Sequence, residues 1–230
     1  MDLKNRRFLS SFLLLTAVSC LLAAPAGALV ITLRSGNGPA GGPDGLIRQY
    51  AVASTCGLGY GTPFTAAEFT AALSAPPAVV LSFVHPAWIQ GITCDPLAQW
   101  IGTDAFGTPL SVLYALEFNV PDPCCIQSAS LDFCWSQDDM LGDTVNPAGV
   151  YLNQVPIPAI NGGSYATMST VSGIDVTGIL HCGTNTLHIY NRDLACAVSG
   201  ILFSATLKIN ECTVAANPST WSNVKALYQD

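Results

Sequence analysis

Hydrophobic and polar residues alternate with period two in several short runs along the chain. In 112–120, Val112, Tyr114, Leu116, Phe118 and Val120 share one side and Leu113, Ala115, Glu117 and Asn119 the other, which predicts a strand with Glu117 facing outward. In 128–135, Ala129, Leu131, Phe133 and Trp135 fall together, so Trp135 reads as core rather than as a sugar-stacking surface. Further on, Leu187 and Ile189 alternate with His188 and Tyr190, while Ile201, Phe203, Ala205, Leu207 and Ile209 alternate with Leu202, Ser204, Thr206 and Lys208. Gly183-Thr184-Asn185 is the turn expected to start the first of these strands, and shorter strands are expected at 31–33, 49–53 and 149–153.

Helical signals are few. Thr65 followed by Glu68 is a capping box opening a helix over 65–75. Trp221, Val224 and Tyr228 fall at helical spacing after Ser219 or Thr220, predicting a two-turn helix in the tail that must dock, fray or serve as a recognition tag. The segment 35–45 is too rich in Gly and Pro for regular structure, and no Gly-Lys-Ser/Thr closes it as a P-loop would require. The pattern predicts an all-β fold, an antiparallel β-sandwich with one or two short helices. It occupies one domain over 29–212, followed by a tail at 213–230.

Composition adds the compartment. Lys4, Arg6 and Arg7 precede an apolar run from Phe8, and Ala26-Gly27-Ala28 fits a cleavage site, so 1–28 is expected to be a signal peptide. The competing route is lipidation at Cys20, since Ala17-Val18-Ser19-Cys20 loosely matches a lipobox. Loss of the leader leaves 5 of the 8 basic and 14 of the 15 acidic side chains, a formal charge near −9. That balance argues against nucleic acid and anionic membrane as partners. Eight cysteines remain, Cys56, Cys94, Cys124, Cys125, Cys134, Cys182, Cys196 and Cys212, an even set that favours disulfides in a secreted, periplasmic or surface protein. No CxxC occurs, and His181-Cys182 with His188 lacks zinc-site spacing. If successive strands simply alternate direction, Cys182 and Cys212 lie at one end of the sandwich and Cys196 at the other, beside Cys124 and Cys125. A Cys182–Cys196 bridge would then have to cover most of a strand, which a disulfide cannot do.

The wording DVTGILHCGTNTLHIYN followed by a Gly-led strand resembles the closing strands of galactose-binding-like β-jelly rolls of secreted and surface bacterial proteins. Ala98-Gln99-Trp100-Ile101-Gly102 is similar to the phrase that precedes a tyrosine-bearing strand in such proteins, and Asp138-Asp139 before 149–153 resembles a DD pair preceding a strand that ends in LNG. Gln154 stands where that turn usually has glycine, and extra residues lengthen the loop around Met140 to Pro147. The resemblance implies a galactose-binding-domain-like jelly roll acting as a non-catalytic accessory or surface module, often carbohydrate-directed.

The candidate site that follows is the loop from Ser136 to Ala148 together with Asn153, because a long loop holding three carboxylates is unusual in a chain this poor in charge. Asp138, Asp139 and Asp143 are the expected polar contacts, as acceptors for sugar hydroxyls or as ligands for Ca²⁺, the one cofactor the pattern points to. The competing reading makes them turn residues capping a loop. Tyr151 and Trp88 are the candidate aromatic platforms. An enzyme would need a carboxylate pair such as Glu117 and Glu211, or a nucleophile elbow. Nothing brings the first pair together, Gly-x-Ser-x-Gly does not occur, and His85, His181 and His188 read as structural. The expectation is a non-catalytic binding module with a glycan as partner. The alternative is an adhesive module for an extracellular protein, ahead of a glycoside-processing enzyme.

Overall fold

The structure, a computed structural model, describes residues 28–52, 56–122 and 124–212. The leader through residue 27 and the helix expected near Trp221 lie outside the described residues, as does Ala53 of the strand expected at 49–53. Among the described residues twelve strands and one helix form, in the order β1 (Leu29–Arg34), β2 (Pro43–Ala51), α1 (Ala66–Leu73), β3 (Pro77–Val80), β4 (Ile101–Gly102), β5 (Val112–Val120) and β6 (Ile126–Asp138). Then come β7 (Met140–Leu141), β8 (Val150–Leu152), β9 (Val155–Pro156), β10 (Ser169–Asp175), β11 (Gly183–Arg192) and β12 (Gly200–Glu211).

Every pairing is antiparallel, and the strands follow one curled path, β10-β6-β12-β4-β3-β2-β5-β11-β8-β9, with β1 added to β12 and β7 to β11. The long strands carry two facing layers. In the first layer β6 and β12 pair from Asp138–Gly200 to Ile126–Glu211, flanked by β10 and β1. In the second, β5 and β11 pair from Val120–Gly183 to Val112–Asn191, flanked by β2 and β8. The chain is an antiparallel β-sandwich of the jelly-roll type.

The alternating residues decide which sides meet. Val112, Tyr114, Leu116, Phe118, Leu187 and Ile189 pack from the second layer against Leu131, Phe133, Trp135, Ile201, Phe203 and Leu207 from the first, in one continuous core. Each such side chain contributes about 1.5–3 kcal/mol by leaving water. Trp135 is core, as its alternation predicts, and Glu117 is exposed. Strand β6 runs beyond the expected 128–135 because its pairing with β12 continues to Asp138. Strand β2 starts at Pro43, inside the segment expected to be all loop. Buried Asp44 anchors it by accepting the N–H groups of Gly36, Asn37, Leu46 and Ile47. Gly183 and its two successors are already strand, paired with Val120, Asn119 and Phe118.

Four cysteine pairs stand at disulfide distance: Cys56–Cys196, Cys94–Cys134, Cys124–Cys182 and Cys125–Cys212, with Cα separations of 5.0, 6.8, 5.6 and 5.3 Å. Four such pairs place the folded chain in an oxidising environment. Cys182 and Cys196 are separate, as strand length requires. The placement of Cys124 and Cys125 beside Cys196 is corrected. Gly183 pairs with Val120 and Glu211 with Ile126, so Cys124 and Cys125 lie at the same end as Cys182 and Cys212. Among the described residues no helix is long and apolar enough to cross a membrane.

Both outer faces are partly covered. Over the second layer, α1 lays Phe69 and Ala72 on Leu113, Ala115, Tyr151 and Tyr190. The helix starts where the sequence predicts. Thr65 caps it, accepting the Glu68 N–H while Glu68 accepts the Thr65 N–H, and Ser74 ends it. Over the first layer, the segment 81–100 lays Trp88, Ile92 and Trp100 on Leu202 and Cys134.

Candidate functional site

Of the three carboxylates expected to form a ligand set, Asp139 and Asp143 are committed to separate backbone groups and Asp138 is buried against Asp139. Asp143 accepts the N–H groups of Val145 and Asn146 at 2.8 and 2.6 Å, which closes its turn, and the Tyr190 hydroxyl at 2.9 Å. Asp139 accepts the N–H groups of Leu194 and Ala195. Asp138 ends β6 instead of lying in a loop and is buried, 6% exposed. Burial first, then the neighbouring Asp139 carboxylate, push its carboxyl up to about 8, so it is protonated at neutral pH and the repulsion within the pair is relieved. The expected loop from Ser136 to Ala148 is therefore broken up, with Ser136 to Asp138 in β6 and Met140–Leu141 forming β7. Among the described residues, the one group of three His, Cys, Asp or Glu side chains with ligand atoms gathered within 4.8 Å is Cys56, Asp193 and Cys196, and its two cysteines are paired with each other.

Trp88 offers no platform. It is 4% exposed and packs on Trp100 with ring centroids 4.3 Å apart. Its ring also explains the glycine that leads β12, because a Cβ on Gly200 would stand 3.2 Å from the indole and 3.1 Å from the Ile101 carbonyl. Asn153 is a clamp. Its Nδ2 donates to the Ile179 carbonyl and to Asn185 Oδ1, and its Oδ1 accepts the Thr186 N–H. Buried Asn185 in turn donates to the His181 and Gly183 carbonyls, so the GTN phrase is an anchor for the β8–β9 hairpin. Each histidine has a backbone partner: Ala87 N for His85, the Cys182 carbonyl for His181, and the Phe69 carbonyl for His188 at 3.0 Å. His188 is fully buried, which lowers its pKa to about 4, so the neutral ring pins α1 to β11. Glu117 points outward from β5, whereas Glu211 ends β12 in the other layer.

What the structure builds instead is a cleft of about 530 Å³ where the cover of the second layer meets the Asp143 loop and the β8–β9 hairpin. Pro63, Phe64 and Phe69 form one wall, and Val145, Asn146, Pro147 and Ala148 form another. Tyr151, Gln154 and Pro156 come from the hairpin, with Pro158 and Asn161 behind them. The side chains that hold the walls are buried. Asn146 accepts the Phe64 N–H and donates to the Thr62 carbonyl, while the Tyr190 hydroxyl accepts the Tyr60 N–H and donates to Asp143. Asp143 thus supports the cleft without lining it. Phe64 meets Tyr151 edge-on at 5.9 Å and Tyr190 edge-on at 5.1 Å, and Phe69 lies 5.1 Å from Tyr151.

Tyr151, expected as an exposed ring, is 7% exposed. Its hydroxyl makes no hydrogen bond within the described residues and is not sealed from solvent. Burial first and then the Asp143 charge push that hydroxyl up to about 12, so it stays a neutral donor. Among the described residues lining the cleft there is no acidic, basic or thiol side chain, nor any histidine. Such a surface can offer apolar contact, amide groups and one phenol, and it holds no general acid, base or nucleophile of ordinary strength.

No protein-family model matches the chain, and no curated protein matches it. Among solved structures, an isomalto-dextranase of Arthrobacter globiformis T6, determined in complex with panose, is similar at a TM-score of 0.31 and 13% identity. The match covers 80% of this chain, which spans about a third (33%) of the length of that enzyme.

Proposed function

We propose that this chain is an exported, non-catalytic carbohydrate-binding module whose ligand occupies the cleft beside Tyr151. The observation that supports this reading is the cleft's chemistry, in which rigid apolar walls of proline and phenylalanine stand beside an unpartnered phenol and the carboxamides of Gln154 and Asn161. A sugar presents apolar C–H faces and a ring of hydroxyls, and that combination answers both. The galactose-binding-like resemblance of the sequence points the same way, and the uncharged lining favours binding over hydrolysis. Four proline rings at the walls keep the cleft open in the free protein, which limits the ordering cost of binding.

The test is titration calorimetry against glycans first identified on an array, with wild type and Tyr151→Phe compared. Saturable binding that weakens about 2–12-fold when the hydroxyl is removed is expected, as the loss of one hydrogen bond to a neutral partner implies. Absence of saturable binding to any glycan would overturn the reading and transfer the cleft to a protein partner.

A further inference from the structure

Gln154 sits in a backbone conformation that its own side chain disfavours. The β8–β9 connection is a two-residue hairpin turn, with Leu152 paired to Val155 and Tyr151 to Pro156. Both central residues are left-handed, Asn153 at φ 49° and Gln154 at φ 68°. Such turns strongly favour Asn at the first position and Gly at the second. Asn153 conforms and uses its amide as a clamp. Gln154 does not conform, since a Cβ in the left-handed region crowds the carbonyl that follows it. Among the described residues no side-chain hydrogen bond offsets that strain, because the Gln154 side chain is exposed. Its position is the rim of the cleft, in the turn of the hairpin whose strands set Tyr151 opposite Pro156. Strain held at a ligand-facing position, with no structural return, marks a residue kept for its side chain.

We infer that Gln154 is the specificity-determining residue of this cleft, and that it selects a neutral sugar by accepting from and donating to adjacent hydroxyls with its carboxamide. The inference rests on the carbohydrate reading above. A carboxamide carries an acceptor and two donors in one plane, which fits two neighbouring hydroxyls of a pyranose. The charge around the cleft selects against anionic ligands. Among the described residues no cation lines it to receive a uronate or sulfate, and Asp143, engaged by two N–H groups and the Tyr190 hydroxyl, does not line it to pair with an amino sugar. An anionic glycan would instead meet the field of Asp143, the same field that raises the Tyr151 hydroxyl.

The experiment compares wild type, Gln154→Gly and Gln154→Glu in two measurements, thermal unfolding and titration with neutral glucans, galactans, mannans and xylans beside polygalacturonate and chitosan. Gln154→Gly relieves the turn, so its melting temperature is expected to rise by about 2–4 °C. Its affinity for the neutral glycan is expected to fall at least tenfold, and Gln154→Glu, which keeps the length but loses both donors, is expected to lose affinity similarly. A stabilised Gln154→Gly with unchanged affinity and selectivity overturns the role of Gln154 and leaves the carbohydrate reading standing. Wild-type preference for polygalacturonate or chitosan overturns the neutral-sugar assignment. Wild type that binds none of these glycans overturns the carbohydrate reading itself, and the inference with it.

Discussion

The two outer faces of the sandwich receive the same treatment and end differently. Each is half covered by a segment inserted between strands, tethered by a disulfide, and packed through aromatic rings. Over the first layer the cover seals its own rings, and Trp88, Ile92 and Trp100 are all buried. Cys94 is bridged to Cys134 of β6, and Asp95 meets Arg34 of β1 at 2.8 Å and Ser204 of β12 at 2.9 Å. The Trp100 indole donates to the Ile89 carbonyl, so the cover ties itself down as well. Over the second layer the tethers lie at the sheet side of the cover, through Cys56–Cys196, Gly57 N–H to Asp193, Tyr60 N–H to Tyr190, and His188 to Phe69. Beyond them Asn146 bonds the cover to the Asp143 loop, and the rest of the gap is faced in part by Pro147, Pro156 and Pro158. Proline lacks an N–H to bridge the gap and has a fixed φ that keeps it from folding inward. A cover stapled and ion-paired into its layer buries its rings as core, and a cover whose far edge is faced by proline leaves a cleft.

The largest test of this contrast removes the staple of the closed face. The pair Cys94→Ser/Cys134→Ser opens a loop with a sequence separation of 40. The loss is expected to be about 4 kcal/mol of unfolding free energy, read from the urea midpoint. Ligand affinity in the cleft should stay at the wild-type value, and a parallel loss of binding would show that the two faces are not independent.

A matched pair of core truncations sharpens the comparison. Phe69→Ala and Trp88→Ala remove buried rings from the two covers, and each is expected to cost about 3–4 kcal/mol. Only Phe69→Ala should abolish binding, since only that ring floors the cleft. Equal losses of binding at folding-competent temperature would remove the cleft from the site.

The pH dependence of stability separates the faces by sign. The Asp138 carboxyl, whose neighbours include Asp139, Asp193 and Trp88, is raised to about 8 in the folded protein, against an ordinary value of 3.8. Between those values the folded chain holds a proton the unfolded chain has released, so stability falls as pH rises through that window. His188 is lowered to about 4 from 6.5, so below pH 6.5 the unfolded chain takes up a proton the folded chain refuses. Its contribution is therefore lost as pH falls toward 4. Melting temperature followed from pH 4 to 9 should decline above pH 6.5. Asp138→Asn should flatten that decline, and His188→Gln should flatten the acid side.

The smallest expected effect concerns calcium. With Asp138 protonated and Asp139 and Asp143 committed to backbone N–H groups, Ca²⁺ and excess EDTA are expected to give the same melting temperature. A rise with Ca²⁺ that Asp138→Asn/Asp139→Asn abolishes would restore the three carboxylates as a cation site.

Period-two alternation by itself determined β5, β6, β11 and β12 and the inward set from Val112 to Ile209, because a strand buries every second residue whatever its partner. Local chemistry likewise determined the Thr65 capping box and the Asp143 turn, since both are closed by backbone groups within three residues. Tertiary structure alone decided which outward residues stay outward. Leu113, His188 and Tyr190 alternate to the same side as Glu117, yet only Glu117 remains exposed, because α1 arrives from 40 or more residues earlier in the chain. The same holds for Trp88, which resembled a platform until Trp100 and Leu202 closed on it, and for Asp138, whose proton depends on neighbours brought by β6 and the turn after β11. The Cys124–Cys182 and Cys125–Cys212 pairs followed from β11 lying beside β5 and β12 beside β6, choices of neighbour that no local pattern encodes. The cleft belongs to this second class entirely. Its walls come from segments near 63, 145, 154 and 161, and they form a site only because pairing and packing between distant segments carry more free energy than any preference within one of them.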